Sequence, residues 1–176
     1  SDIYAQAETA ATQTATQQVE EAFAQQTSEI DAQESALNEL KDGLAKIKSQ
    51  YDQTSEALSQ VNEQIEALNA AGQTVPEELS AQQASLGAAQ SQLKPQLDAL
   101  QEQYDSQYDS GMAQIAAART ALEEAKAGAL DSAVAQAVEA ARKQVDEQLA
   151  QNEEIISARQ AINDARTQLD SQEQQL

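Results

Sequence analysis

The chain contains no cysteine, no histidine and no tryptophan, and of the larger residues it holds only one Phe, four Tyr and one Met. Without Cys there are no disulfides and no thiolate chemistry, an absence equally compatible with the cytosol and with an extracellular surface. Without His, the commonest general base and the commonest metal ligand are both missing. Two Pro and five Gly among 176 residues are too few for a loop-rich fold. Cations are scarce as well: 10 Lys and Arg face 30 Asp and Glu, for a net charge of −20. Such a surface repels phosphate backbones and anionic lipid heads, so nucleic acid is not an expected partner. No run approaches the ~18 apolar residues of a membrane-spanning helix, and no signal-peptide pattern opens the chain. The segment is therefore read as not itself inserted in a membrane. Both ends lie inside periodic sequence, and a longer parent polypeptide is expected.

What the chain does contain is helical periodicity. Much of its 40% hydrophobic content is Ala, which together with Gln and Glu favours helix. Low hydropathy with high net charge also fits intrinsic disorder, but sustained heptads argue against it. Phe23, Ile30, Leu37, Leu44, Tyr51, Leu58 and Ile65 recur every seventh residue, and Leu40, Ile47, Thr54, Val61 and Leu68 follow three residues later. That is the a/d seam of a coiled coil. A second seam runs through Leu79, Leu86, Leu93 and Leu100, with Leu97 and Tyr104 as companions. Between the two lies Asn69-Ala-Ala-Gly-Gln-Thr-Val-Pro-Glu77, in which Gly72 suits the left-handed residue that ends one helix and Pro76 suits the first turn of the next.

The expected fold is all-α, a long antiparallel coiled-coil hairpin forming one elongated domain over 1–176. It comprises an ascending helix over 2–70, a tip at 71–75 within the stretch 69–77, and a descending helix over 76–176. In this register residue i faces residue 147 − i, so that Val61 meets Leu86 and Ile47 meets Leu100.

Four irregularities qualify the plan. Residues 2–16 carry Thr9, Thr12, Thr14 and Thr16 with few large apolar side chains, so this end is expected to fray or to need a partner. Pro95 inside the second helix predicts a kink near 91–95. The steps from Leu97 through Tyr104, Tyr108 and Gly111 or Met112 to Ile115 include an extra four-residue step, a stutter that locally unwinds a supercoil. Finally, the register exhausts the first helix near residue 146, yet Leu149, Ile155, Ile156, Ile162, Leu169 and Leu176 continue an apolar stripe. Three arrangements would cover it: more helix before Asp2, a second copy, or a break at 127–132 where Gly128 caps one helix and Asp131 or Ser132 starts a third. The uninterrupted helix is the preferred reading.

Residues for catalysis are few, and the chain is not read as an enzyme. The pairs Glu20-Glu21, Glu77-Glu78, Glu123-Glu124 and Glu153-Glu154 are adjacent on a helix, about 100° apart, and so do not converge on one site. Asp105 and Asp109 lie one turn apart, but a straight helix does not wrap a cation as a calcium loop does. Tyr51, Tyr104 and Tyr108 fall at or beside the seam and read as packing residues. No cofactor and no metal are expected. The tip is left as the candidate contact surface, with Asn69, Gln73, Thr74, Val75, Glu77 and Glu78 as the residues that would meet a partner.

Three units, Leu40-Lys-Asp-Gly-Leu-Ala-Lys-Ile47, Tyr108-Asp-Ser-Gly-Met-Ala-Gln-Ile-Ala-Ala-Ala-Arg-Thr-Ala-Leu122 and Ile156-Ser-Ala-Arg-Gln-Ala-Ile-Asn-Asp-Ala-Arg-Thr-Gln-Leu169, resemble the coiled-coil insert of FtsX-like ABC transporter permeases of Gram-positive bacteria. The resemblance implies a non-catalytic stalk on the extracellular face of the plasma membrane. Its partners would be the rest of the permease, a separate cytoplasmic ATPase subunit, and an envelope protein or peptide substrate at the tip. The segment itself would be a monomer, with a dimer through residues 147–176 as the alternative. Two other classes fit the same periodicity. A structural rod or surface spacer would pair between chains, and the hairpin of a periplasmic efflux adaptor would carry Arg near its tip, whereas residues 58–90 contain none.

Overall fold

The computed structural model describes residues 2–176. The chain is an all-α helical hairpin of two helices, α1 over Asp2–Ala70 and α2 over Glu77–Gln175, with no strand among the described residues. Contacts divide it into two units. One holds Gln26–Ala121 and includes the turn; the other holds the chain up to Gln25 together with Leu122–Leu176.

In the Gln26–Ala121 unit the heptad seam is the packed face. Ile30, Leu44, Val61 and Ile115 are buried, and the other seam residues from Leu37 to Leu68 and from Leu79 to Tyr104 are all half-buried. A two-helix pair has no interior deeper than one stripe, which is why most of its apolar side chains keep an edge in water. Flanking polar pairs report the register. Gln83 donates to Asn62 at 2.7 Å and Gln90 to Ser55 at 2.9 Å. In an antiparallel pair where residue i faces 147 − i, these four positions are the ones that meet beside the seam. Farther from the turn, Leu37 packs against Gly111 so closely that a Cβ there would stand 2.7 Å from a Leu37 methyl. The stutter thus brings a residue without a side chain opposite a large one. Beside it the rings of Tyr104 and Tyr108 stack with centroids 4.6 Å apart, and Lys41 lies 5.7 Å over Tyr108.

Helix α2 runs through Pro95 without a break. Pro95 cannot donate to the Ser91 carbonyl, but both residues face solvent, where water can satisfy that carbonyl, and Leu93 and Leu97 hold the seam on the opposite side.

The other unit uses different packing residues. Its most enclosed side chains are Ala15, at 3% exposed, Val145 and Val19. Ala7, Ala11 and Ala15 on α1 recur every fourth residue, as do Ala133, Ala137 and Ala141 on α2, and together they line one shallow groove. Small side chains let two helices approach closely, so dispersion between backbones replaces the large interdigitating side chains of the other unit. Residues 2–16 are accordingly helical and packed, and the partner that this end needed is the chain's own α2. Polar clasps add to the contact: Lys126 reaches Glu20 at 2.8 Å, Arg142 pairs with Glu8, and the Tyr4 hydroxyl donates to Asp146.

The preferred uninterrupted helix is what α2 forms, and one boundary shifts by a residue. No third helix follows Gly128, because α2 continues unbroken through 127–132. A single Gly in an Ala-rich helix costs about 1 kcal/mol in propensity, too little to stop a helix packed on both sides of it by Ala129, Leu130 and Lys126. The second helix also begins at Glu77 rather than at residue 76. Pro76 caps it instead, its carbonyl accepting from the amides of Leu79 at 3.1 Å and Ser80 at 3.2 Å.

Candidate functional site

The turn between the helices is closed by its own backbone. Gly72 adopts φ of 70°, the left-handed region that residues with a Cβ enter at a cost. Its amide donates to the Asn69 carbonyl at 3.1 Å, and the Gln73 amide reaches back to Leu68 at 2.9 Å. This crossed pair is the Schellman motif, which satisfies carbonyls that the end of α1 would otherwise leave open. Pro76 then restricts the backbone at the entry to α2, so the six-residue connection is held at both ends.

The six candidate contact residues are brought together on this turn. Asn69, Gln73, Thr74, Glu77 and Glu78 are exposed, and Val75 is half-buried beneath them. Glu77 and Glu78 occupy the first turn of α2, where carboxylates favour the positive end of the helix dipole, so they also have a local structural task. No Lys or Arg occurs between Lys48 and Lys94, whereas Asp52, Glu56, Glu63 and Glu66 add to the two tip carboxylates. The electrostatic character of this end is uniformly negative.

Elsewhere the structure gives the singled-out polar residues local partners. Asp105 accepts from Gln101 at 2.8 Å, and Glu20 is held by Lys126. No group of three potential metal ligands converges among the described residues. Arg119 bridges to Asp31 at 2.8 Å and to Glu34, and these hydrogen bonds raise its pKa above the ordinary arginine value. Lys94, bonded to Asp98 at 2.8 Å, is raised for the same reason. A groove of about 550 Å³ beside the stutter, lined by Leu37, Leu40, Gln107, Gly111, Gln114 and Ile115, was not foreseen. The available signal was Gly111 falling on the seam where the step pattern changes.

No helix of the described residues is long and apolar enough to cross a membrane. Compared with known protein families, curated proteins and solved structures, the chain matches none. What fold and site define is a class: an acidic, all-α helical hairpin with an ordered, exposed turn.

Proposed function

We propose that the protein is the non-catalytic extracellular stalk of a membrane ABC transporter permease of the FtsX-like kind, standing at the outer face of the plasma membrane. The observation that carries this reading is the hairpin with its ordered tip. A chain that folds back on itself suits an insert between two membrane spans, and Tyr4 beside Asp146 keeps the start of α1 against α2. A turn held by a Schellman motif and Pro76 keeps its exposed side chains in one arrangement, which suits a contact surface.

In this reading ATP hydrolysis by a separate cytoplasmic subunit moves the hairpin, and Asn69, Gln73, Thr74, Val75, Glu77 and Glu78 meet an envelope protein or peptide substrate. The stalk needs no cofactor or metal of its own. Within each unit the packed face resists sliding of one helix along the other, which suits the transmission of displacement.

The test is to delete residues 69–78 in the complete transporter and to follow transport, surface expression and ATPase activity together. Loss of transport with expression and ATPase retained is the expected result. Unchanged transport would remove the tip's role and leave a spacer that only sets a distance. Sequencing the flanking reading frame tests the transporter itself: stretches of about 20 apolar residues on both sides are expected, and more heptads in their place would end the reading.

A further inference from the structure

In the Gln26–Ala121 unit the two flanks of the seam carry different chemistry. On one, α2 presents Lys94, Asp98, Asp105, Asp109 and Arg119, and Arg119 crosses to Asp31 and Glu34 of α1. On the other, a row steps by three or four residues from Gln92 to Ala121, taking in Gln96, Gln103, Ser110 and Gln114, and meets no charge. Each of these six residues is exposed. The groove of about 550 Å³ opens along this row, and none of the residues lining it is charged. Its exposed lining includes Gln33, Gln103, Gln107 and Gln114, and its covered lining is Leu37, Leu40 and Ile115, beside which Gly111 adds no side chain. The two helices that build the groove are already paired with each other, so this flank is a surface of the finished pair.

We propose that the uncharged flank pairs with the same flank of a second copy of the chain, about a two-fold axis. Two observations select this occupant. An interface about a two-fold axis needs a patch that complements itself, and the glutamines of this row meet that need because an amide both donates and accepts. The chain also carries a net charge of −20, so copies that meet on carboxylate-bearing faces repel each other. Along the row nothing charged is desolvated or set against its like, whereas an acidic or a basic partner would gain nothing there. The row spans about 44 Å at ~1.5 Å per residue, and a strip one helix wide over that length buries less than the ~1,200 Å² of a standard interface. Pairing is therefore expected to be reversible, at chain concentrations of roughly 0.1 mM.

The inference stands apart from the transporter reading and is tested on the 176-residue chain. Sedimentation equilibrium up to about 0.5 mM is expected to show a monomer passing to a dimer. The dimer fraction is expected to rise as salt is raised from about 0.05 to 0.5 M, because screening relieves the net repulsion and takes nothing from an uncharged interface. Gln103→Glu places a carboxylate near the middle of the row, twice in each dimer, and is expected to weaken pairing about tenfold with helicity unchanged by circular dichroism. Ala116→Glu adds the same charge at an exposed position on the other flank and is expected to change pairing by less than about twofold. Amide exchange over 92–121 is expected to slow as concentration rises. A chain that stays monomeric at both salts, pairing that weakens with salt, or equal losses in the two variants would overturn the proposal. So would slowed exchange over 149–176 in place of 92–121, since the apolar stripe would then hold the copies together.

Discussion

The two units solve the same problem, holding two helices together, with opposite materials. The unit that contains the turn packs Leu, Ile and Tyr on a heptad seam; the unit that contains Val145 packs Ala against Ala and adds Lys and Arg clasps to α1 carboxylates. The difference teaches that helix pairing needs complementary surfaces rather than large ones. Long side chains fill a wide gap, whereas small ones allow a narrow gap, and either leaves few voids.

The sharpest way to break the comparison is to remove volume where volume does the packing. Ile115→Ala, at a side chain 4% exposed, is expected to lower stability by about 2–4 kcal/mol, read as a shift of the urea midpoint by circular dichroism. A loss well under 1 kcal/mol would mean that the wide seam does not depend on filled layers. The converse change adds volume where closeness does the packing. Ala15→Leu should destabilise by about 1–3 kcal/mol, although Leu is nearly as good a helix former as Ala and would improve an ordinary heptad seam. An increase in midpoint would show that the Ala face tolerates a wider gap and that the two units do not differ in kind.

The smallest effect concerns the clasp at the start of α1. The hydrogen bond to Asp146 is the first cause that raises the Tyr4 pKa above its ordinary value of 10.0, followed by partial desolvation and the Asp146 charge. A raised pKa means that the folded state holds the phenolic proton more tightly than the unfolded chain does. The clasp therefore contributes fully below pH 10 and is lost as pH rises through the higher folded value. Amide exchange near Tyr4 and Asp146 should accelerate above pH 10 in the native chain. Tyr4→Phe should show the faster exchange already at neutral pH and lose the alkaline step, and an unchanged step in that variant would assign it to another group.

How much of this was legible depended on side-chain size. Every seam residue named between Ile30 and Leu68, and between Leu79 and Tyr104, lies on the packed face, because a large apolar side chain at period seven has one economical place to go. Gly72 was legible for a backbone reason, and its φ of 70° confirms the left-handed cap. The Ala face was not. Alanine is at once a good helix former and a neutral surface residue, so Ala7, Ala11 and Ala15 give no directional signal until Ala133, Ala137 and Ala141 are placed opposite them. Gly128 was legible as a tolerated interior residue, because a lone Gly in an Ala-rich helix costs too little to stop it. At the tip, the grouping of Asn69, Gln73, Thr74, Val75, Glu77 and Glu78 on one turn was legible, since a turn collects neighbours in sequence. The twofold character of Glu77 and Glu78 was not, because their place in the first turn emerges only with the helix start.

Read without coordinates, the residues already make the chain helical and fold it back at 69–77, with an apolar stripe continuing past residue 146. These follow from period, caps and chain length, which are local properties and simple counting. Packing settles the rest: α2 passes intact through Pro95, Leu37 rests on Gly111, and Lys126, Arg142 and Tyr4 clasp across the pair. Each of those outcomes depends on which residue stands opposite, and opposition across two helices is set by the packed register rather than by either helix alone.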